Sequence, residues 1–296
     1  MAGSQASTLR LRDALRDAGF DVRSVERCGG GVVAVAGLVT LADGTRLFAK
    51  CLPGTEPGVF DVEAAGLVSL RETGHIRTPD IVHGEPRVLI LRPQRPRRDD
   101  PRFWADLGAS VAALHTGTVG ERFGWHRQGW LGRMRQDNTW HGDGHAFFAE
   151  RRLLRWLGEP LVEAALDAAD RRALEALCAA LPDLVPAQPP CLTHGDLWAE
   201  NILADEDGAP VLIDPAVSCT WAEVDLSMLW CSPRPPVSEH FFAAYAERAP
   251  LLDGWRERMP LLHLREVLST IAHGDDDWGA ADYVRRTVAP FRKRRR

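Results

Sequence analysis

The sequence predicts a bilobal α+β fold: a small antiparallel sheet lobe with one main helix, followed by a larger, mainly helical lobe. Three observations lead there. Residues 1–91 contain most of the strand-like segments, rich in Val, Leu and Phe; residues 92–101 are polar and proline-rich; from 102 to 296 apolar residues recur mostly at helical spacing. The expected division is a first lobe 1–91, a connector 92–101 and a second lobe 102–296.

Leu11, Ala14, Leu15 and Ala18 fall on one face of a short amphipathic helix, with Ser7 or Thr8 placed to cap it and Gly19 to end it. Val22–Glu26, Val32–Leu41 and Arg46–Leu52 read as an antiparallel meander, the last two strands joined by a turn at Ala42-Asp43-Gly44. Helical periodicity returns from Phe60 to Glu72, and Ile81–Val82 and Val88–Leu91 add two short strands. The connector, Arg92-Pro93-Gln94-Arg95-Pro96-Arg97-Arg98-Asp99-Asp100-Pro101, is a poor candidate for strand or helix because proline lacks the amide donor both need. Beyond it, helices are expected at Phe103–His115, Ala146–Leu157, Leu161–Leu181, Glu239–Glu247, Trp255–His273 and Ala280–Val288. Strands are expected only at Ile202–Leu203 and Pro210–Ile213, around an Asp-Glu-Asp-Gly turn.

With 296 residues, 45% of them hydrophobic, the chain can bury sizeable cores. Lys and Arg number 36 against 41 Asp and Glu, a net charge of −5, so no nucleic-acid partner is expected. The one basic run, Arg292 to Arg296, reads as a solvated tail. Met1 to Arg10 holds no apolar stretch of leader length, and the run Val32–Ala42, broken by Gly37 and Thr40, is too short to cross a bilayer. The expectation is a cytoplasmic, monomeric protein without membrane contact. The six cysteines form no C-x-x-C pair, and His75, His83 and His115 lack ligand spacing, so neither a disulfide framework nor a structural metal is expected. Cys28, just before a glycine run, reads as a small buried residue or as a redox-responsive thiol.

The strongest chemical signal is Leu192-Thr193-His194-Gly195-Asp196-Leu197-Trp198-Ala199-Glu200-Asn201, followed by Val211-Leu212-Ile213-Asp214-Pro215. Asn201 follows Asp196 by five residues, the spacing of a kinase catalytic loop, and Asp214 stands 18 residues after Asp196 at the end of an apolar strand. Phosphoryl transfer from ATP needs little else from the protein: a carboxylate to orient the attacking hydroxyl, and oxygen ligands for the magnesium that neutralises the phosphates. Asp196 suits the first task and Asn201 with Asp214 the second. Any one of these residues could merely close a turn; the ordered set argues otherwise.

A second signal lies in the first lobe. Gly29-Gly30-Gly31 sits between two strand candidates, where glycine amides can approach phosphate oxygens, and Lys50 near the end of the third strand can pair with the α and β phosphates. Glu63 on the following helix would orient that lysine. Three glycines alone could equally be a bulge or a flexible turn; Lys50 and Glu63 downstream raise the case.

These residues resemble a family. His194-Gly195-Asp196-Leu197-Trp198 is similar to the signature of fructosamine (ketosamine) kinases, within the protein-kinase-like, aminoglycoside phosphotransferase-like superfamily. The resemblance extends to Phe60-x-x-Glu63-Ala64-x-Gly66-Leu67, Leu107-Gly108 through Leu114-His115, Phe147 to Leu153, Ile213-Asp214-Pro215-Ala216 and Glu223-x-Asp225-Leu226-x-Met228, so that it covers most of the chain. It implies a protein-kinase-like fold and ATP-dependent phosphorylation of the sugar 3-hydroxyl of a ketosamine. By it, Asp196 is the catalytic base, Asn201 and Asp214 hold magnesium, Lys50 and Glu63 position ATP, and His194 and Asp225 support the catalytic loop. Trp198 either packs on the acceptor's sugar or serves as a buried spacer.

The pattern departs from the family at Arg92, where an acidic residue is usual, at Val33, at Glu200 beside Asn201, and at Ser218-Cys219-Thr220-Trp221-Ala222. These departures are expected near ATP and acceptor contacts. An altered acceptor (an aminoglycoside, an amino alcohol, another sugar amine) and a nucleotide-binding pseudokinase are the competing readings. A protein kinase is disfavoured, since no Asp-Phe-Gly or Ala-Pro-Glu segment follows Asp214. The polar stretch Arg135 to His145 could line the acceptor pocket or be an ordinary solvated loop.

Overall fold

The structure, a computed structural model, describes residues 2–28, 34–52 and 58–292. The glycine run Gly29-Gly30-Gly31, with Val32 and Val33, lies outside the described residues, as do the last four residues of the basic tail.

Helix α1 (Ala2–Asp17) leads into β1 (Val22–Arg27), β2 (Val35–Leu41) and β3 (Arg46–Cys51); α2 (Val59–Glu72) is followed by β4 (Ile81–Glu85) and β5 (Val88–Leu91). The five strands form one antiparallel sheet in the order β1-β2-β3-β5-β4. Alternation along β3 and β5 gives the sheet two apolar faces. Leu47, Ala49, Val88 and Ile90 pack with Leu11 and Leu15 of α1, whereas Leu89 and Leu91 pack with Phe60 and Leu67 of α2. Two helices therefore cover the sheet, one on each side. The same alternation turns Lys50, between Ala49 and Cys51, toward the α2 face. Helix α1 begins upstream of Ser7 and Thr8, which lie within it and do not cap it.

The connector carries a two-residue strand, β6 (Arg95–Pro96), not expected from its prolines. It is itself the edge of a three-stranded sheet, paired with the later strand at Ile202–Ala204, and at an edge a missing amide is tolerated. Helix α3 (Pro101–Gly117) starts at Pro101 with Asp100 capping the Phe103 amide at 2.9 Å. There follow a hairpin of β7 (Gly129–Leu131) and β8 (Met134–Gln136), then α4 (Gly144–Phe148), α5 (Pro160–Ala165), α6 (Ala168–Ala179) and α7 (Leu181–Leu184). The remaining elements are β9 (Cys191–Thr193), β10 (Ile202–Ala204), β11 (Pro210–Leu212), β12 (Ser218–Thr220), α8 (Ala222–Cys231), α9 (Glu239–Arg248), α10 (Trp255–Leu262), α11 (Leu264–His273) and α12 (Ala280–Val288). One large core, including Trp104, Phe147, Phe148, Trp156, Trp221 and Phe241, holds this lobe together. Helices α3 and α9 approach so closely that a Cβ on Gly108 would collide with the Phe241 carbonyl. The fold is the mixed sheet-and-helix architecture expected.

Three expected helices are broken. The 161–181 stretch divides where Asp167 leaves helical geometry and caps α6 in a reciprocal box with Asp170. Ala146–Leu157 passes into a wide π turn over Ala149–Leu153 and a tight 3₁₀ turn over Leu154–Gly158. The 255–273 stretch breaks at His263, three residues after Pro260. Helix α8 was not expected because it is buried on several faces, with Val224, Asp225, Leu226, Ser227 and Leu229 all inside, so no apolar stripe marks it. Strands β7, β8, β9 and β12 are three residues each, too short to show a period of two.

Candidate active site

Strand β9 ends in Thr193, and β12 pairs with it antiparallel from Ser218 to Thr220. The chain then turns at Gly195, whose φ is +79° and where a Cβ would collide with the Ala216 carbonyl oxygen, so the turn requires glycine. Asp225, fully buried in the first turn of α8, accepts from the His194 amide at 2.7 Å and the Gly195 amide at 2.8 Å. It also meets His115 Nε2 at 3.2 Å, and Tyr245 supports the other ring nitrogen at 2.9 Å. Burial alone would raise the Asp225 pKa; the His115 hydrogen bond and charge, aided by the Gly195 amide, hold it below the usual carboxylate value.

The buried His194 ring joins two segments. Its Nδ1 accepts from the Asp196 amide at 3.2 Å, and Nε2 donates to the Ile213 carbonyl at 2.9 Å. Burial lowers its pKa, which keeps the neutral tautomer this pairing needs. Asp214 follows Ile213 with φ +55°, a conformation that few residues other than glycine, asparagine and aspartate adopt readily. Asn201 Nδ2 donates to the Asp196 carbonyl at 2.8 Å and to its Oδ2 at 3.0 Å.

Lys50 reaches from the sheet and bridges the lobes: Nζ donates to Glu63 Oε1 at 2.8 Å and to Asp214 Oδ1. Burial favours its neutral form, but Asp214 and then Glu63 outweigh it and raise the pKa above the ordinary lysine value. The structure thus brings together Lys50, Glu63 and Asp214 on one side and Asp196 with Asn201 on the other, with His194 between. Asn201 Oδ1 and the 41%-exposed Asp214 carboxylate supply two hard oxygens. Among the described residues no group of three or more His, Cys, Asp or Glu could hold a metal alone. That sparse donor set fits magnesium, which keeps several waters and arrives with phosphates, and does not fit a closed structural site. Trp198 is partly buried, and its indole is not among the side chains packed against the large core.

Of the departures noted in the sequence, Val33 lies outside the described residues, and the others make no hydrogen bond or ion pair with this cluster among the described residues. Glu200 is exposed and faces Arg97 of the connector at 3.5 Å. Ser218, Thr220 and Trp221 are buried, the first two in β12 beside β9. Arg92 is exposed and lines a cleft of about 830 Å³ with Arg71, His75, Thr78 and Asp205, a cleft that includes none of the clustered site residues.

Sequence reasoning missed a second polar layer. Arg265, 3% exposed, donates to the Gly195 carbonyl at 2.6 Å and to Gln136 Oε1 at 2.6 and 3.2 Å. Asn138 is fully buried, joined to Arg152 at 2.7 Å and to Gln136 at 3.3 Å. The 135–145 stretch is therefore partly interior. Glu266 adjoins this layer through an ion pair with Arg265. Burial, then the negative charge of Glu266, pushes the Asp196 carboxyl well above its usual range. The signal available in the sequence was an Arg-Glu pair inside the apolar run Leu261 to Ile271.

Fold and site together define an ATP-dependent phosphotransferase with the kinase-like bilobal architecture. A choline kinase from Streptococcus pneumoniae has that fold at 14% identity, a TM-score of 0.61, and coverage of 95% of this chain and 97% of its own. The chain belongs to the fructosamine kinase family, whose sequence profile matches residues 5–282. It is 31% identical to a probable ketoamine kinase of Enterococcus faecium over 79% of this chain and 83% of that protein. It is 28% identical to a chloroplastic protein-ribulosamine 3-kinase of Arabidopsis thaliana, over 84% and 77%. A crystal structure from Thermobifida fusca named for a fructosamine-3-kinase superposes with a TM-score of 0.79 at 34% identity, covering 92% of this chain and 93% of that one.

Proposed function

We propose that the chain transfers the γ-phosphoryl group of ATP to the 3-hydroxyl of a ketosamine, the adduct of a sugar with an amine. The observation that carries this reading is the juxtaposition, around one imidazole, of Asp196 with Asn201 and of Asp214 with Lys50 and Glu63. The names of the relatives support the choice of acceptor.

In this mechanism Asp196 accepts the hydroxyl proton as the oxygen attacks, and its raised proton affinity suits a base. Lys50, held by Glu63, pairs with the α and β phosphates, and Gly29, Gly30 and Gly31 offer backbone amides to the phosphates. Asn201 and Asp214 would hold magnesium, which when bound would neutralise charge on the phosphates. Trp198 presents its accessible face to the sugar. His194 and Asp225 fix the loop backbone, so that Asp196 is oriented before substrate arrives. Residues 1–91 form the ATP-phosphate clamp, 92–101 the connector, and 102–296 the lobe with catalytic loop and acceptor pocket. Among the described residues no helix is long and apolar enough to cross a membrane, and all six cysteines are free. Both features suit a cytoplasmic enzyme acting in the repair of glycated amines.

Magnesium-ATP turnover with fructosamines, ribulosamines, free sugars, amino alcohols and aminoglycosides tests the reading. Ketosamines should have the highest kcat/KM; a preference for another group would replace the acceptor, and turnover of none would favour a pseudokinase.

A further inference from the structure

We propose, on the basis of the ketosamine reading above, that Glu266 recognises the acceptor's protonated amine, so that the site selects small molecules carrying the reacting hydroxyl and a cationic nitrogen close together. Helix α11 turns Leu264, Val267, Leu268 and Ile271 into the core, and only Arg265 and Glu266 interrupt its buried face with charge. Arg265 is spent on the Gly195 carbonyl and on Gln136. Glu266, with a side chain only 12% exposed, gives Oε1 to the same Arg265 nitrogen that holds Gly195. Its carboxyl is thus one guanidinium nitrogen away from the residue preceding Asp196.

Among the described residues the other Glu266 oxygen has no hydrogen bond, and it is not among the sealed polar atoms. Glu266 is also the strongest charge acting on Asp196. Arg265 and Arg152 are the cations near these two carboxylates, but Arg152 gives its hydrogen bonds to the Asp137 carbonyl and Asn138, and Lys50 is held by Glu63 and Asp214. A largely desolvated carboxylate with an open oxygen favours a further hydrogen-bonding cation, and among the described residues no cation besides Arg265 hydrogen-bonds it. In a ketosamine three carbons separate the 3-hydroxyl oxygen from the adduct nitrogen. A hydroxyl held at Asp196 therefore carries the nitrogen toward an adjacent carboxylate. The secondary ammonium has two N–H groups, one of which can make a charge-assisted hydrogen bond to the open oxygen.

If Glu266 served only as a counter-ion that steadies Arg265, and through it Gly195, its loss would be felt equally by every acceptor. The discriminating pair is 1-deoxy-1-propylamino-fructose and its uncharged ether isostere, 1-O-propyl-fructose. KM and kcat are measured for wild type, Glu266→Gln and Glu266→Asp, with melting temperature and ATP affinity recorded for each. Wild type should favour the amine. Glu266→Gln should raise KM for the amine at least tenfold more than for the ether, and Glu266→Asp, which keeps the charge, should recover part of the difference. Equal losses on both acceptors, or no change on either, would overturn the role of Glu266 while leaving the ketosamine reading standing. Failure of the wild type to phosphorylate either sugar would sink that reading and this inference with it.

Discussion

His194 donates from Nε2 to the carbonyl of Ile213 at 2.9 Å, and this bond ties the loop of Asp196 to the turn of Asp214. The other ring nitrogen receives the Asp196 amide, so one neutral imidazole sets the spacing between the two carboxylate-bearing segments. Replacing it by Phe keeps a ring but leaves a partly buried amide and a partly buried carbonyl unpaired, each at a cost of up to about 1–3 kcal/mol. His194→Phe should lower the melting temperature, reduce kcat by roughly 100-fold through misplacement of Asp196, and weaken magnesium-ATP binding as Asp214 shifts. Kinetics and calorimetry on the purified variant check this; loss confined to one of the two would show that the imidazole does not couple them.

Asp196 and Asp214 should separate by phenotype. Asp196→Asn removes the proton acceptor while leaving the nucleotide's contacts, so kcat should fall by about 10²–10⁴ with ATP affinity retained. Asp214→Ala removes the proposed magnesium ligand and leaves Lys50 to Glu63 alone, so magnesium-dependent ATP affinity should collapse. Titration of each variant with ATP, with and without magnesium, decides. Swapped phenotypes would reverse the two roles.

Asp196 and Asn201 share one loop, so their spacing is readable in the sequence, as is the position of Lys50 on the α2 face from the alternation along β3. The Gln136, Arg265 and Gly195 layer was not readable, because it joins segments 129 and 70 residues apart by side-chain contacts that leave no local period. The helix breaks at Asp167 and His263 escaped for a related reason. Apolar spacing continues across both; the break coincides with a capping carboxylate in one case and follows Pro260 by three residues in the other. Helix α8 was hidden by its own burial.

Trp198 stands apart from the core, which bears on its two possible tasks. If its indole packs on the acceptor's sugar, Trp198→Ala should raise the ketosamine KM by the equivalent of roughly 1–3 kcal/mol, with ATP affinity and melting temperature little changed. Equal losses on all acceptors with a large fall in melting temperature would assign it a structural task instead.

The stability of the protein should carry a histidine signature that owes nothing to catalysis. His263, 5% exposed at the junction of α10 and α11, has a buried Nδ1 without a hydrogen bond. Burial, and secondarily the charge of Arg265, lowers its pKa to about 4. An unfolded chain returns it to about 6.5, so between these values the unfolded state binds more protons and stability must fall as pH decreases. The penalty grows from near zero above about pH 6.5 to about 3 kcal/mol near pH 4, at 1.36 kcal/mol per pKa unit. His194, whose pKa is also lowered, acts in the same direction. Urea unfolding from pH 7.5 to 4.5 should show this loss, and His263→Gln should reduce the slope. An unchanged slope in that variant would mean that His263 does not titrate between the two states.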